Sequence, residues 1–160
     1  MNYIGFNKYD TANGPGIRVS LFVSGCTLHC KGCFNQESWD FNAGKPFDSD
    51  AYHALFKALD NKYVSGLSIL GGDPFEEANM PVVHGIVQEF RNRFKDTKTI
   101  WIWSGRKHEH LKDHFLAAAI LDFCDVLVDG PFIERLKVNP ADHYYYGSSN
   151  QRVIYLKHSV

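Results

Sequence analysis

Strand-like and helix-like segments alternate along most of this chain, and the alternation restricts the folds open to it. Five segments have the β-branched and aromatic composition of strands: Ile17–Val23, 66–70, 99–103, 125–128 and 152–156. Helical apolar stripes lie between them at 51–59, from about Pro81 onward, and at 108–120. Strands separated by helices form βαβ units, so we predict an α/β fold with a mainly parallel sheet.

The length limits how far such a sheet can close. A complete eight-fold βα barrel takes about 250 residues, and this chain has 160. No internal repeat or linker divides the sequence. We therefore predict one domain over residues 1–160, built as a partial, open parallel βα barrel.

Unusual loops follow four of the predicted strands. They are the cysteine-rich stretch 24–35, then Gly71-Gly72-Asp73-Pro74, Ser104-Gly105 and Asp129-Gly130, in chain order. The carboxyl ends of parallel strands share one rim, which is where α/β proteins build their sites. The sequence therefore predicts a site that combines these loops.

Composition and charge exclude several classes of protein. A formal net charge of −1 gives no electrostatic basis for binding nucleic acid or an anionic membrane. No stretch approaches the roughly 18 apolar residues of a membrane span, and the N-terminus lacks the layout of a signal peptide. We expect a cytoplasmic protein, whose cysteines serve metal binding or catalysis rather than disulfides.

Three cysteines, Cys26, Cys30 and Cys33, are spaced C-x3-C-x2-C. Structural zinc is almost always held by four protein ligands. The other candidates are poor, because His29 adjoins Cys30 and Cys124 begins an apolar strand, where a lone cysteine is typically buried. A 4Fe-4S cluster normally takes four cysteines, so three leave one iron open, which is typical of a catalytic metal. The pattern favours a cluster that binds its substrate through iron.

This cysteine spacing, followed by a Gly-Gly-Asp-Pro loop, resembles the radical S-adenosylmethionine enzymes. The resemblance implies a partial barrel of the radical SAM type. It implies that Cys26, Cys30 and Cys33 hold a 4Fe-4S cluster whose open iron chelates S-adenosyl-L-methionine. No catalytic side chain is implied beyond the cluster and this cosubstrate.

The same resemblance assigns the cosubstrate's contacts. Gly71, Gly72 and Asp73 are expected to bind its methionine end, with both glycines allowing backbone to approach the ligand closely. Ser104 and Asp129 are candidates for contacts to the ribose or to methionine. A Ser or Asp at a strand end is as often a turn or helix cap, so both interpretations of this pair stay open.

Further motifs narrow the resemblance to the glycyl-radical-enzyme activases, and among them to the activases of anaerobic ribonucleotide reductase. They are NGPGIR at 13–18, CFN at 33–35 with Trp39, WIWSG at 101–105, VLVDGPF at 126–132 and GSSNQRVI at 147–154. The resemblance implies that a low-potential donor, such as a flavodoxin, supplies an electron. S-adenosylmethionine is then cleaved to a 5′-deoxyadenosyl radical, which takes a hydrogen atom from a glycine of the large glycyl-radical subunit.

Some positions depart from the family pattern or have no assigned role. Tyr146 stands where many relatives have arginine, and Gly32 where the family often has an aromatic residue. Asn150 and Arg152 are candidates for lining the site or the partner surface, and Arg18 for a site residue or a structural arginine. Roles for His29 and for the run Tyr144 to Tyr146 stay open.

Two other functions stay open on the sequence alone. A small radical enzyme acting on a heterocyclic small molecule would share the scaffold, and a non-catalytic zinc-binding interaction module would share the cysteines. The short chain favours a macromolecular substrate, because an open barrel leaves a side for a partner to close. The sequence leaves open a homodimer and a hetero-oligomer with the reductase.

Overall fold

A computed structural model describes residues 1–142 and 144–157 as a seven-stranded sheet with four α-helices. The strands are β1 (Asn2–Asp10), β2 (Ile17–Val23), β3 (Lys45–Pro46), β4 (Val64–Gly71), β5 (Thr99–Ser104), β6 (Val126–Asp129) and β7 (Arg152–Tyr155). The helices are α1 (Ser49–Leu59), α2 (Met80–Phe94), α3 (His108–Leu111) and α4 (Phe115–Phe123). Short 3-10 turns lie at Gln36–Ser38, Glu134–Leu136 and Pro140–Asp142. In these two ranges, no helix has the length and hydropathy to cross a membrane.

The sheet is open, with strand order β3-β1-β2-β4-β5-β6-β7. Its four central strands, β2, β4, β5 and β6, run parallel, as predicted from the alternation of strands and helices. The flanking strands β1, β3 and β7 are antiparallel to their neighbours. The α/β class and the open, unclosed sheet are therefore confirmed.

Two strands at the sides of the sheet differ from what the alternation of strands and helices predicts. β1 was not predicted, because its sequence NYIGFNKYD has several polar residues; in the structure this strand is only partly buried. β7 follows β6 with only 3-10 turns between them. Without a crossover helix the chain returns in the opposite direction, so β7 pairs antiparallel with β6.

The helix predicted over 108–120 is wrong as a single element. The structure has two helices there, α3 and α4, separated by residues 112–114. His114 ends the break and is the N-cap of α4, where its Nδ1 accepts a 3.3 Å hydrogen bond from the Ala117 N–H. A side chain that accepts this N–H starts a new helix instead of continuing the old one.

The two faces of the sheet differ, and this difference determines where rim side chains point. Successive residues of a strand point to opposite faces. Leu21, Ile69, Ile102 and Leu127 pack with α1, α2 and α4 in the main core. The opposite face has a smaller aromatic and aliphatic cluster that includes Trp101, Val126, Val128 and the partly buried Trp103. We call this second side the open face.

Candidate cluster and cosubstrate site

One cavity lies at the carboxyl ends of β2, β4 and β5, on the open face. Its lining includes Cys26, Cys30, Cys33, Gly71, Gly72, Asp73 and Ser104. Phe22, Leu70 and Trp103 supply apolar side chains from the three strands. The structure therefore brings residues of all four strand-end loops to one cavity. The fourth contributes Gly130, whereas Asp129 is not part of the lining.

The three cysteines of the loop lie around the same cavity. Cys26, Cys30 and Cys33 are free and partly buried, and all three are part of the lining. In a 4Fe-4S cluster each thiolate binds a different iron. Three cysteines that line one cavity can therefore hold three irons of one cluster.

The protein alone disfavours a free thiolate at Cys26. Burial raises the pKa of its thiol, and Asp73 and Glu76 raise that pKa further, against the backbone N–H groups of Leu28 and His29. A thiolate in such a place gains from a directly bound cation.

The glycines of the Gly-Gly-Asp-Pro loop are required by the cysteine loop beside them. The Gly72 N–H donates to the Val23 carbonyl at 2.8 Å, and the Asp73 N–H donates to the Gly25 carbonyl at 2.8 Å. A Cβ on Gly72 would lie 2.4 Å from the Gly25 oxygen. Gly71 has φ of +117°, a left-handed conformation that favours glycine. The sequence analysis expected the backbone at these glycines to approach a ligand closely. In the structure, the backbone of Gly72 approaches the backbone of the cysteine loop.

Asn79 adds a further link between these two loops. It is the N-cap residue of α2 but makes no side-chain cap bond. Its amide instead donates to the Ser24 carbonyl at 2.9 Å and to the Asp73 carbonyl at 3.0 Å. The start of α2 is therefore fastened to the base of the cysteine loop.

Asp73 and Ser104 interact directly. The Asp73 side chain is 1% exposed, and its carboxylate accepts hydrogen bonds from the Ser104 hydroxyl at 2.9 Å, the Gly105 N–H at 3.0 Å and the Phe75 N–H at 2.9 Å. Arg106 Nη1 lies 3.1 Å from the same carboxylate. Burial raises the pKa of Asp73, while Arg106 and these donors oppose the rise. Asp73 and Ser104 thus form one hydrogen-bonded unit, and both line the cavity.

Asp129 lies at the rim beside the start of α3. It is the register partner of Ser104, but unlike Ser104 it is not among the residues that line the cavity. It accepts a 2.7 Å hydrogen bond from the His108 N–H at the start of α3, and a 2.9 Å bond from Arg152 Nε. Asp129 thus contacts the first N–H of α3 and Arg152, and its contact to the ribose or to methionine stays a prediction.

The GSSNQR segment reaches the cavity through a residue that the sequence did not single out. Gln151 is part of the lining, donates to the Gly130 carbonyl at 2.8 Å and accepts from the Gly147 N–H at 2.7 Å. Asn150 donates to the Pro131 carbonyl, and Arg152 also pairs with Glu109 at 2.8 Å. Asn150 and Arg152 thus hold the segment in place, and Gln151 presents it to the cavity.

His29 and Arg18 now have structural surroundings. His29 has φ of +46°, and its ring stacks on Trp39 with centroids 4.4 Å apart. Arg18 is fully buried and donates to Ser68 Oγ at 2.7 Å and to the Leu67 and Thr99 carbonyls at 2.9 and 3.0 Å. Burial lowers the pKa of Arg18 to about 10. Arg18 therefore connects β2, β4 and β5, and a structural arginine is one of the two roles that the sequence left open.

Cys124 is buried, as predicted, and is not among the residues that line the cavity. Its thiol donates to the Ile120 carbonyl at 3.3 Å, and burial strongly raises its pKa.

Glu76 and Arg106 are parts of the site region that sequence reasoning missed. Glu76 Oε1 accepts from the Thr27 N–H at 2.7 Å, the Thr27 hydroxyl at 2.9 Å and Arg106 Nη2 at 3.0 Å. The only signal in the sequence was their position, three residues after Asp73 and two after Ser104. Their pairing depends on the fold bringing the two loops together.

Comparison with known proteins agrees with this geometry. The family described as "4Fe-4S single cluster domain" matches residues 12–154. A protein of Pasteurella multocida named anaerobic ribonucleoside-triphosphate reductase-activating protein is 40% identical over 157 residues, which are 97% of each chain. This chain belongs to that family of activating proteins.

Other activating proteins of the same name support the assignment over nearly the full length. The Escherichia coli K12 activating protein is 38% identical over 159 residues, covering 98% of this chain and 100% of its own. The activating protein of Enterobacteria phage T4 is 36% identical over 153 residues, covering 96% of this chain and 93% of its own. The similarity therefore includes every loop that lines the cavity.

Proposed function

We propose that this chain is a radical S-adenosylmethionine activase that generates a glycyl radical on the large subunit of an anaerobic ribonucleoside-triphosphate reductase. The observation that carries the proposal is the cavity at the sheet rim, which all three cysteines and the Gly-Gly-Asp-Pro loop line together. Membership in the family of activating proteins supports the same reaction. On this proposal the open sheet is a partial barrel of the radical SAM type.

The residues present fit a cluster that has one open iron. Cys26, Cys30 and Cys33 would hold it, and no fourth cysteine lines the cavity among the described residues. When bound, the cluster supplies one-electron reductive cleavage of S-adenosylmethionine, with the chemistry belonging to the cofactor. The chain's own residues position the cosubstrate and exclude water.

The cosubstrate's methionine end would lie against the loop formed by Gly71, Gly72 and Asp73. Ser104 would act with Asp73, since its hydroxyl is bonded to that carboxylate. Asp129 would act more distantly, by holding α3 and Arg152 at the rim. Apolar residues from three strands would limit water beneath the reacting groups.

The mouth of the cavity suits a macromolecular substrate. Phe34, next to Cys33, is 86% exposed, and its ring meets Phe132 edge-on with centroids 6.5 Å apart. Leu28 is also exposed at this mouth. A large subunit that presents its glycine here would cover these apolar side chains and close the open face.

A low-potential electron donor, for which a flavodoxin is our candidate, would reduce the 4Fe-4S cluster, and the reaction would take place in the cytoplasm.

Anaerobic reconstitution tests this proposal. We expect about four irons and four sulfides per chain, and 5′-deoxyadenosine when the reduced protein is mixed with S-adenosylmethionine. Zinc without inorganic sulfide after anaerobic purification would support an interaction module instead. Cleavage that is stimulated by a heterocyclic compound and not by the large subunit would support a small-molecule enzyme.

A further inference from the structure

A small ionic cluster fastens three loops of the site to one another. Its members are Asp73 and Glu76 after β4, Arg106 after β5, and Thr27 in the cysteine loop. Arg106 bridges the two carboxylates, with Nη1 3.1 Å from Asp73 and Nη2 3.0 Å from Glu76. Arg106 Nη2 also donates to the Thr27 hydroxyl at 3.2 Å.

Glu76 grips the cysteine loop next to its first cysteine. One oxygen, Oε1, accepts from both the backbone N–H and the hydroxyl of Thr27, the residue after Cys26. Glu76 is only 5% exposed, and its pKa is lowered because these hydrogen bonds and Arg106 outweigh the opposing effect of burial. The carboxylate therefore fixes the direction in which the chain leaves Cys26.

The other half of the ionic cluster fixes the Gly-Gly-Asp-Pro loop, which we call the cosubstrate loop. Asp73 is held by Ser104 and Gly105 as well as by Arg106. Any shift of Asp73 thus acts on Arg106, and any shift of Arg106 acts on Glu76 and Thr27. The contacts form an unbroken connection between the loop with the first cysteine and the loop proposed to bind methionine.

We propose that Glu76 is a positioning residue for Cys26, and that Arg106 couples its position to the cosubstrate loop at Asp73. This inference rests on the proposed function, because the proposed function assigns the cysteine loop to the 4Fe-4S cluster and the Gly-Gly-Asp-Pro loop to S-adenosylmethionine. Groups that orient a metal's ligands typically change affinity or activity by about 10- to 100-fold when removed. Glu76 and Arg106 occupy that role without touching the cavity, whose lining contains neither.

Three variants separate positioning from general stability. Glu76→Ala removes the acceptor for Thr27, while Glu76→Gln keeps an acceptor oxygen and loses the charge that pairs with Arg106. Glu77→Gln is the matched control, because the neighbouring Glu77 side chain is 84% exposed and, within residues 1–142 and 144–157, its one ion pair is with His114. Each reconstituted protein is measured for iron content, for S-adenosylmethionine affinity by equilibrium dialysis, and for the EPR spectrum of the reduced cluster with and without S-adenosylmethionine.

We expect Glu76→Ala to retain wild-type iron, since all three cysteines remain, but to bind S-adenosylmethionine at least about 10-fold more weakly. The change in its EPR spectrum on adding S-adenosylmethionine should become smaller or heterogeneous. Glu76→Gln should lie between this variant and wild type, and Glu77→Gln should match wild type.

Wild-type affinity and an unaltered spectral change in Glu76→Ala would overturn the inference. If Glu76→Ala fails to fold, Glu76→Gln decides: a wild-type affinity and spectrum in that variant would overturn the coupling through Arg106. A wild-type protein whose cluster spectrum does not respond to S-adenosylmethionine would contradict the proposed function itself, which is a separate result.

Discussion

The Ser104 hydroxyl donates a 2.9 Å hydrogen bond to the buried Asp73 carboxylate and so joins the carboxyl ends of β5 and β4. The same hydroxyl accepts from the Arg106 N–H at 3.0 Å. Ser104 thus orders the loop after β5 as well as the carboxylate beside the cavity.

Replacing Ser104 with Ala should destabilise the protein and weaken cosubstrate binding together. Loss of a bond to a buried carboxylate costs about 2 kcal/mol. The free energy of unfolding in denaturant measures the first effect, and equilibrium dialysis with S-adenosylmethionine measures the second. Ser149→Ala, at an exposed position of the same residue type, is the control. A Ser104→Ala protein with unchanged stability would show that this bond contributes nothing to the rim.

Replacing Gly72 with Ala should disrupt the contact between the two loops. The new Cβ would lie 2.4 Å from the Gly25 carbonyl oxygen, and overpacking of this kind costs about 1–3 kcal/mol. Gly85→Ala is the matched control, because nothing lies within 4 Å of its Cβ position in α2. The free energy of unfolding of that control should rise by about 1 kcal/mol, because Ala has a higher helix propensity than Gly. Equal effects from the two substitutions would contradict the packing described here.

The four cysteines should divide into two classes. Cys30→Ala should lose the intact cluster and the cleavage of S-adenosylmethionine, because only three cysteines line the cavity among the described residues. Cys124→Ala should keep both, because that thiol is buried and bonded to Ile120. Iron and sulfide analysis with 5′-deoxyadenosine measurement checks the two variants side by side. Loss of the cluster in Cys124→Ala would show that Cys124 is a ligand.

The Glu109–Arg152 pair should make stability depend on acid pH. Arg152 donates hydrogen bonds to the Glu109 carboxylate, and these lower the pKa of Glu109 to about 2 in the folded state. A carboxyl with a lowered pKa stabilises the fold above its unfolded pKa, and that contribution is lost as pH falls toward 2. Both side chains are largely solvent-exposed, so we expect a small effect that salt weakens.

Thermal unfolding of wild type and Glu109→Gln, in the same cluster state, checks this expectation. The difference in Tm should be present at neutral pH and shrink between about pH 4.5 and pH 2. A difference that grows as the pH falls would contradict the assigned sign.

Sequence reasoning succeeded where local pattern determines structure. β2 was predicted at Ile17–Val23 and is found there, because a β-rich and mostly apolar run suits a strand buried on both faces. The gathering of strand-end loops followed from parallel topology alone. Cys124 was recognised as a buried residue because its surroundings in the sequence are apolar.

The remaining features depend on contacts between distant residues. Ser104 and Asp129 are register partners at the ends of β5 and β6, yet Ser104 bonds Asp73 whereas Asp129 bonds the start of α3 and Arg152, because different loops lie beside them. The break between α3 and α4 required His114 to act as a cap, which helical periodicity does not reveal. The ionic cluster joins residues 49 and 30 positions apart, Thr27 to Glu76 and Glu76 to Arg106. No local pattern encodes such pairs.

The most direct measurement of the central claim is EPR detection of a glycyl radical on the partner. The reconstituted chain is reduced anaerobically and mixed with S-adenosylmethionine and the large subunit of the anaerobic reductase, with Cys30→Ala protein in a parallel sample. We predict a glycyl radical signal on the large subunit in the wild-type sample and none with Cys30→Ala. A fully loaded wild-type protein that produces no such signal, or an equal signal with Cys30→Ala, would contradict the account.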